Sequence, residues 1–409
     1  MPGPTTRHSQ FVPTLSNANG RAADLICLSH LRWNFVFQRP QHLMTRFAAE
    51  RRVFFFEEPL FDAETSRIDV QVSHGVHVVV PHLRAGTAPG AAELALQHLM
   101  RTLCTGWHIT KPVVWVYTPM ALPLVDDIDT SAIVYDCMDE LTGFSGASPE
   151  LCERERELFS RADVVFTGGH SLYEAKRRSH RNVHPFPSSV DVAHFAQARR
   201  IAAEPADQQS IPRPRLGFAG VIDERMNLQL VGEVASLRPD WQIVMIGPIV
   251  KIDPATLPQA SNIHYLGMRK YEELPAYLAG WDVAMLPFAH NAATRYISPT
   301  KTPEYLAAGC PVVSTSVSDV VRPYGEQQLV QIADTPADFV RAAELAMGEA
   351  GRQSVRKAGT LPGTMSWDRT WAAMKALIDD AQSRRYAARP VRAHIAFEFG
   401  HTRPATSAS

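Results

Sequence analysis

The sequence predicts an α/β protein with two doubly wound domains, each built on a parallel sheet. The chain has 409 residues, too many for one compact core and enough for two domains of about 200 residues each. Its short apolar runs are continuous and do not alternate with polar residues, which is typical of strands buried on both faces of a parallel sheet. Segments with helical spacing separate these runs, and the whole series occurs twice along the chain.

Composition narrows the class of protein. Hydrophobic residues make up 45% of the chain and charged residues 20%, as in a globular protein. The formal net charge is −1, so no overall field attracts nucleic acid and we expect no nucleic-acid partner. The five cysteines are scattered without a C-x-x-C pair, which favours the cytoplasm and argues against zinc. No apolar run reaches the roughly 18 residues of a membrane span.

The first series predicts an N-terminal domain at residues 21–205, after a disordered lead at residues 1–20. Helical spacing marks Gln41–Glu50 and Leu151–Ala162. A stretch rich in Pro, Gln and Asp at residues 196–214 predicts the connection between the domains. The predicted strands are Leu25–Ser29, Val53–Phe56, Val76–Val80, Val113–Tyr117, Ala132–Tyr135, Val164–Thr167 and Val183–Phe186.

The second series predicts a C-terminal domain at residues 206–365. Thr335 to Asp338 has the spacing of a capping box and predicts the start of a helix. Residues 366–385 predict a last helix, and residues 386–409 predict a flexible tail rich in Arg, Pro, Ser and Ala. The predicted strands are Leu216–Phe218, Gln242–Ile246, Ile263–Leu266, Val283–Leu286, Pro311–Thr315 and Leu329–Ile332.

The most informative stretch of the second half reads SPTKTPEYLAAGCPVV. It predicts a loop, a short helix with Thr302 as N-cap and Glu304 in its first turn, an end at Gly309, and a buried strand. Lys301 directly precedes this predicted helix, so a cation and several free backbone N–H groups converge on one point. That combination suits a phosphate or diphosphate. The alternative is an ordinary loop with a solvated lysine.

Polar side chains also follow two strands of the first half, where ligands bind in open parallel sheets. His30, Arg32 and Arg39 surround the start of the first helix and could reach the cleft or brace that helix. Asp136 and Asp139 belong to the run DCMDE, in which three carboxylates repel one another unless cations or solvent intervene. We therefore expect a chemical role for at least one of these aspartates. The alternative is that Asp136 caps a turn and the others are solvated.

Four motifs together resemble GT-B glycosyltransferases of family 4, also called group 1, in a bacterial polysaccharide-type branch. They are QRPQHL, YDCMDE, GFAGVIDER and SPTKTPEYLAAGCPVV. The resemblance spans nearly all of residues 24–385 and implies the GT-B fold, in which two Rossmann-like domains face each other across a cleft. It implies an acceptor side in the first domain, a nucleotide-sugar side in the second, and a last helix that returns to the first domain.

The resemblance also implies roles for individual residues. Lys301 and Arg225 would meet the donor diphosphate, and Glu304 the ribose hydroxyls. Asp136 or Asp139 stands where the family often has a histidine near the reacting sugar, and could act as general base or hydrogen-bond to the sugar. The first-domain residues His30, Arg32 and Arg39 would reach the donor diphosphate or the acceptor. The implied donor-binding set is Gly220, Arg225, Ser298, Lys301, Thr302 and Glu304.

The activity implied is transfer of a sugar from a nucleotide sugar, of UDP or GDP type, to a glycan or lipid-linked acceptor in cell-envelope or exopolysaccharide synthesis. No Asp-x-Asp has a setting that suggests a metal, so we expect neither metal nor cofactor. Tyr296 replaces the first Glu of the family's E-x7-E pattern, so the stereochemical outcome stays open. The alternatives are a nucleotide-sugar 2-epimerase and a non-catalytic nucleotide-sugar-binding partner protein. A lipid-linked acceptor would imply peripheral membrane contact at the inner face.

Overall fold

The computed structural model describes residues 22–359 and 365–388, and the predicted disordered lead lies outside them. The first domain is built on a sheet of nine strands in this described part of the chain. The strands are β1 (Leu25–Leu28), β2 (Val53–Phe56), β3 (Leu60–Ala63), β4 (Arg67–Ser73), β5 (Val76–Arg84), β6 (Val113–Val116), β7 (Ala132–Cys137), β8 (Val164–Thr167) and β9 (Val183–Pro185).

The first sheet has the order β3-β5-β2-β1-β6-β7-β8-β9, with β4 also paired to β5. All pairs are parallel except β4 with β5, which is antiparallel. The sequence predicted neither β3 nor β4, because β3 is mostly exposed and lacks a buried apolar run. The first sheet therefore carries an antiparallel edge strand that the prediction of a parallel sheet did not include.

The second domain is built on a six-stranded, all-parallel sheet within the described residues. Its order is β12-β11-β10-β13-β14-β15. The strands are β10 (Arg215–Ala219), β11 (Gln242–Ile246), β12 (Ile263–Gly267), β13 (Val283–Leu286), β14 (Val312–Ser314) and β15 (Gln331–Ile332).

Helices cover both faces of each sheet. The α-helices are α1 (Arg39–Ala48), α2 (Pro89–Gly106), α3 (Pro149–Arg161), α4 (His170–Lys176), α5 (Val192–Phe195), α6 (Ala206–Gln209), α7 (Leu228–Leu237), α8 (Leu274–Leu278), α9 (Lys301–Ala308), α10 (Ser318–Val320), α11 (Pro336–Met347), α12 (Glu349–Ala358) and α13 (Trp367–Ala388). Thr335 caps α11 as predicted, because its hydroxyl accepts the Asp338 N–H at 3.2 Å. None of the helices in the described residues is long and apolar enough to cross a bilayer.

The continuous apolar strands are buried on both faces, as their sequence predicted. In β1, Leu25 and Cys27 belong to one apolar core and Ile26 and Leu28 to another. Successive side chains of a strand point to opposite faces, so an uninterrupted apolar run supplies both cores at once. The sheet therefore lies at the centre of its domain, and polar side chains reach solvent mainly beyond the strand ends.

The connection between the domains packs on the second domain earlier than predicted. Val190, Phe195 and Ala198 belong to the same core as Tyr277 and Trp281 of the second domain. The change from one core to the other therefore precedes the predicted boundary at residue 205. The apolar side chains of this segment show no regular helical or strand period, so periodicity alone did not reveal its partner.

The last helix returns to the first domain, as the family resemblance implied. Trp367, Met374 and Ile378 of α13 pack in the core that contains Leu43 and Phe47 of α1. The helix ends at Ala388, three residues beyond the predicted end at 385. The rest of the predicted tail lies outside the described residues.

Candidate active site

Two adjoining cavities lie in the cleft between the domains. The larger has a volume of about 470 Å³ and the smaller about 150 Å³. Four residues line both cavities and mark the point where the cavities meet: Val36, Gly220, Val221 and Lys301. A nucleotide sugar has a base, a diphosphate and a sugar in a row, and two connected cavities can accommodate such a ligand.

The second domain shapes the cavities through a close approach of two glycines. Gly220 follows β10, and Gly247 follows β11 with a φ of +140°. A Cβ atom at Gly247 would lie 1.8 Å from the Gly220 carbonyl oxygen, so only glycine fits there. This contact leaves an open backbone surface at the carboxyl ends of β10 and β11, where a ligand can approach closely.

Helix α9 points its N-terminus towards the junction of the cavities, but it starts earlier than predicted. Its first residue is Lys301 and the residue before it is Thr300, so Thr302 is not the N-cap. Thr302 is fully buried, and its hydroxyl has no hydrogen-bond partner among the described residues. Gly309 ends the helix in the left-handed conformation with φ +85°, as predicted.

Lys301 and Glu304 form an ion pair within the first turn of α9. The Lys301 Nζ lies 2.9 Å from a Glu304 carboxylate oxygen. Lys301 faces both cavities, whereas Glu304 is only 5% exposed and lies behind it. A lysine therefore lies at the start of the helix as the sequence predicted, and a carboxylate holds it in place. The predicted set of free N–H groups is smaller than expected, because the Thr302 and Glu304 N–H groups donate to the carbonyls of Pro299 and Thr300 and Pro303 has no N–H.

The smaller cavity brings together charged groups from both domains. Arg225 lines it and is held by both carboxylate oxygens of Asp223, with Nη2–Oδ2 at 2.7 Å. Asp139 lines the same cavity from the first domain. Burial raises the pKa of Asp139, while the nearby Arg225 opposes that rise. Ser298 is a further lining residue, and its carbonyl accepts a hydrogen bond from Ser188.

Asp136 occupies a different position from Asp139, in spite of their closeness in sequence. It is fully buried, and both of its oxygens accept hydrogen bonds from Arg39, at 2.8 and 2.9 Å. A third Arg39 N–H donates to the carbonyl of Phe186 at 2.8 Å. Arg39 reaches the wall of the smaller cavity, but its guanidinium is committed to Asp136. The pair braces the first domain, so of the two predicted aspartates only Asp139 faces the cleft.

His30 and Arg32 line neither cavity. The Arg32 guanidinium donates to the Glu57 carboxylate at 2.9 Å and to the Glu58 carbonyl at 2.6 Å, which ties the loop after β1 to the loop after β2. His30 is half-buried, and burial together with Lys251 lowers its pKa to about 4. The structure therefore gives Arg32 a bracing role in place of the predicted cleft role, and holds His30 neutral near pH 7.

Sequence reasoning missed several residues that line the larger cavity. Residues 33–37 of the first domain reach over it, and His74 joins them from the turn between β4 and β5. Tyr271 lines the opposite side, and its ring stacks on Phe37 with centroids 4.7 Å apart. Phe37 has no polar group that could mark it as a site residue. Residues 268–270, which directly follow β12, also line this cavity.

The class of protein follows from this architecture and from comparison with solved structures. Sucrose-phosphate synthase from Thermosynechococcus elongatus has a TM-score of 0.65 and 14% identity, covering 90% of this chain and all of that one. The Anabaena protein HepE in complex with UDP has a TM-score of 0.62 and 11% identity, covering 88% of this chain and all of that one. The predicted GT-B fold is confirmed.

Sequence comparison gives a family match and a curated relative. Residues 213–348 match the family model described as "Glycosyl transferases group 1". This match lies within the second domain, and the predicted resemblance to that group is confirmed. The chain is also 26% identical over 265 residues to TuaH of Bacillus subtilis (strain 168), which is named as a glycosyltransferase of teichuronic acid biosynthesis. That match covers 59% of this chain and 65% of the length of TuaH.

Proposed function

We propose that this protein transfers a sugar from a nucleotide sugar to a glycan or lipid-linked acceptor in bacterial cell-envelope or exopolysaccharide synthesis. The observation that carries the proposal is the convergence of Lys301, Arg225 and the N-terminus of α9 on two connected cavities between the domains. The name of TuaH, which assigns it to the biosynthesis of an envelope polymer, supports this class of acceptor.

In this proposal the larger cavity binds the base and ribose, and the junction at Gly220 and Lys301 binds the diphosphate. Uridine and guanosine nucleotides are the two candidates, and the UDP complex of HepE supports the former. The leaving diphosphate gains negative charge as the sugar departs. Lys301, Arg225 and the positive end of the α9 dipole would stabilise that charge without rearrangement, which is electrostatic catalysis.

We assign the smaller cavity to the reacting sugar and the acceptor hydroxyl. Asp139 is the carboxylate of the predicted pair that faces this cavity, and its raised pKa disfavours the charged form and so increases its affinity for a proton. It would accept the proton of the acceptor hydroxyl or a hydrogen bond from the donor sugar. Among the described residues no group of His, Cys, Asp and Glu is arranged to hold a metal ion, and we propose that the reaction is metal-independent.

We also propose that the protein acts in the cytoplasm, with peripheral contact to the membrane if the acceptor is lipid-linked. All five cysteines of the sequence are free thiols, and three of them are buried, in keeping with a reducing compartment. Membrane contact would be tested by sedimentation with vesicles that contain anionic lipid.

The proposal is tested by thermal unfolding with UDP, GDP and their sugar derivatives at millimolar concentration, in the presence of EDTA. We expect one nucleotide series to raise the melting temperature of the wild type, because a ligand that binds only the native state stabilises it. Lys301→Gln should abolish that shift. The matched control is Lys375→Gln, which also removes a lysine from an ion pair but on the remote helix α13. No shift for any nucleotide would refute the donor site.

A second measurement separates transfer from the alternative chemistry. The nucleotide sugar that binds is incubated with the enzyme alone and its products are identified by mass spectrometry and NMR. Conversion to a different nucleotide sugar without acceptor would identify a 2-epimerase. Release of the nucleoside diphosphate on addition of a glycan or polyprenyl-linked acceptor supports the proposed transferase.

A further inference from the structure

We infer that Phe144 is a positioning residue that sets the spacing between Asp139 and Arg225 across the smaller cavity. The inference rests on the proposed function, since those two residues are its proposed acid–base group and diphosphate cation. Phe144 lies in residues 138–147, here called the docking loop, which follows β7 of the first domain. The loop crosses the cleft and contacts the second domain at three places.

The first contact is made by the ring of Phe144. The Arg225 guanidinium carbon lies 5.7 Å from the ring centroid, and the Lys251 Nζ lies 5.8 Å from it. Both cations belong to the second domain and both lie within the range of a cation–π interaction. One aromatic side chain of the first domain is therefore held by two cations of the second.

The other contacts involve the backbone of the docking loop on either side of Phe144. The Ser145 N–H donates to the carboxylate of Glu224, at 3.2 and 3.3 Å. Gly143 lies against the second domain so closely that a Cβ atom would be 2.7 Å from the Ala292 carbonyl oxygen. The Asn291 side-chain amide donates to the Glu224 carbonyl at 2.8 Å. The two segments of the second domain that the docking loop contacts, at Glu224 and Ala292, are therefore joined to each other.

The docking loop is also fixed to the first domain, close to Asp139. The Lys176 Nζ lies 2.8 Å from the Glu140 carboxylate and 2.8 Å from that of Glu155. Asp139 therefore moves with the first domain, and Arg225 with the second. The contacts of Phe144 join the two domains within a few residues of the smaller cavity. They therefore fix the distance between Asp139 and Arg225 and keep the domains in the closed arrangement.

This arrangement predicts a measurable effect on nucleotide affinity. A protein whose binding-competent state is only partly populated binds its ligand more weakly, in proportion to that population. Loss of the cation–π contacts would populate open arrangements in which Arg225 and Asp139 no longer share a cavity. We expect Phe144→Leu to weaken binding of the nucleotide by about 3- to 5-fold, in keeping with the lower part of the range for cation–π contacts.

The experiment compares Phe144→Leu with Phe144→Tyr by calorimetric titration of UDP and GDP. Leucine keeps most of the apolar volume but removes the aromatic face, whereas tyrosine keeps that face and should bind within about 2-fold of the wild type. Lys251→Met completes a double-mutant cycle that leaves the diphosphate cation intact. In the Lys251→Met background, Phe144→Leu should weaken nucleotide binding by a smaller factor than it does in the wild type. The inference would be overturned if Phe144→Leu and Phe144→Tyr weakened nucleotide binding equally. It would also be overturned if the double variant weakened binding by the product of the two single-variant factors, since the two side chains would then act independently.

Hydrogen exchange of the docking loop provides a readout that does not depend on a nucleotide. Residues 138–147 should exchange faster in unliganded Phe144→Leu than in unliganded wild type, and unchanged exchange would overturn the inference. If the wild type binds no nucleotide, the proposed donor site fails, and this exchange result alone decides whether Phe144 docks the loop. A normal nucleotide affinity in Phe144→Leu, with wild-type binding intact, refutes only the role of Phe144.

Discussion

Arg39 binds Asp136 through two parallel hydrogen bonds of 2.9 and 2.8 Å, although 97 residues separate them in the chain. The two side chains are 5% and 0% exposed, so the pair is buried in the first domain. This contact explains how a second aspartate can lie near Asp139 without a role in the cleft. It also turns one of the two predicted catalytic residues into a residue that stabilises the fold.

Asp136→Asn should therefore destabilise the protein strongly. Removal of one partner leaves the Arg39 charge buried and uncompensated, which costs about 3–5 kcal/mol of unfolding free energy. Urea denaturation measures this loss. The matched control is Asp126→Asn, which removes a carboxylate from a half-exposed pair with Arg161 and should cost at most about 1 kcal/mol. A variant that is as stable as this control but inactive would show that Asp136 is catalytic.

Asp139→Asn should reduce activity without reducing stability, in contrast to Asp136→Asn. Burial raises the pKa of Asp139, so the charged carboxylate weakens the fold as pH rises through its titration, and its removal should leave stability at pH 7 unchanged or slightly higher. Turnover of the nucleotide sugar should fall by about 100-fold or more if Asp139 accepts a proton. The turnover rate is measured as steady-state release of the nucleoside diphosphate. Activity within a few-fold of wild type would exclude that role.

Gly247→Ala should disrupt the donor site. The added methyl group would meet the Gly220 carbonyl oxygen, and the backbone would remain at an unfavourable φ of +140°. We expect a loss of about 3 kcal/mol or more in unfolding free energy and loss of nucleotide binding. Gly86→Ala is the control, because Gly86 also has a positive φ but open space around it, and should cost about 1–2 kcal/mol. Equal effects of the two variants would contradict the close approach.

His42 should make stability depend on pH. Burial and the nearby cations Arg46 and Lys301 lower its pKa to about 2, whereas in the unfolded chain it titrates near 6.5. The unfolded state therefore binds a proton that the native state refuses, and stability falls below pH 6.5 by up to about 1.4 kcal/mol per pH unit. His42→Phe keeps a ring to stack on Trp367 and should flatten this decline, as measured by urea denaturation from pH 7 to 4.5. An unchanged slope of unfolding free energy against pH in His42→Phe would contradict the role of His42.

The sequence predicted the sheet centres well and the edges poorly. β2 and β8 lie where their continuous apolar runs placed them, since burial on both faces leaves a local signal. β3 has no such signal because its side chains are largely exposed, and only its pairing with β5 makes it a strand. The start of α9 was misplaced because Pro303 suits the first helical position and so pointed to Thr302 as the N-cap, whereas Thr300 is an equally suitable N-cap residue two positions earlier.

The sequence likewise predicted some residues of the candidate site and not the contacts between others. Lys301 and Gly220 were found because a helix start and a strand end are local features. The pairing of Arg39 with Asp136 and the docking of Phe144 on Arg225 depend on which segments meet in space, and no pattern within either segment encodes that. Asp136 and Asp139 have the same chemistry and lie three residues apart, so only the fold could separate the buried one from the one in the cleft.

Hydrogen exchange with and without the bound nucleotide tests the central claim most directly, because it reports where on the chain the ligand binds. We expect slower exchange in three segments that line the cleft, residues 219–221, 268–270 and 298–302, and unchanged exchange on the remote helix α2. Nucleotide binding without protection of these segments, or with protection confined to another surface, would contradict it.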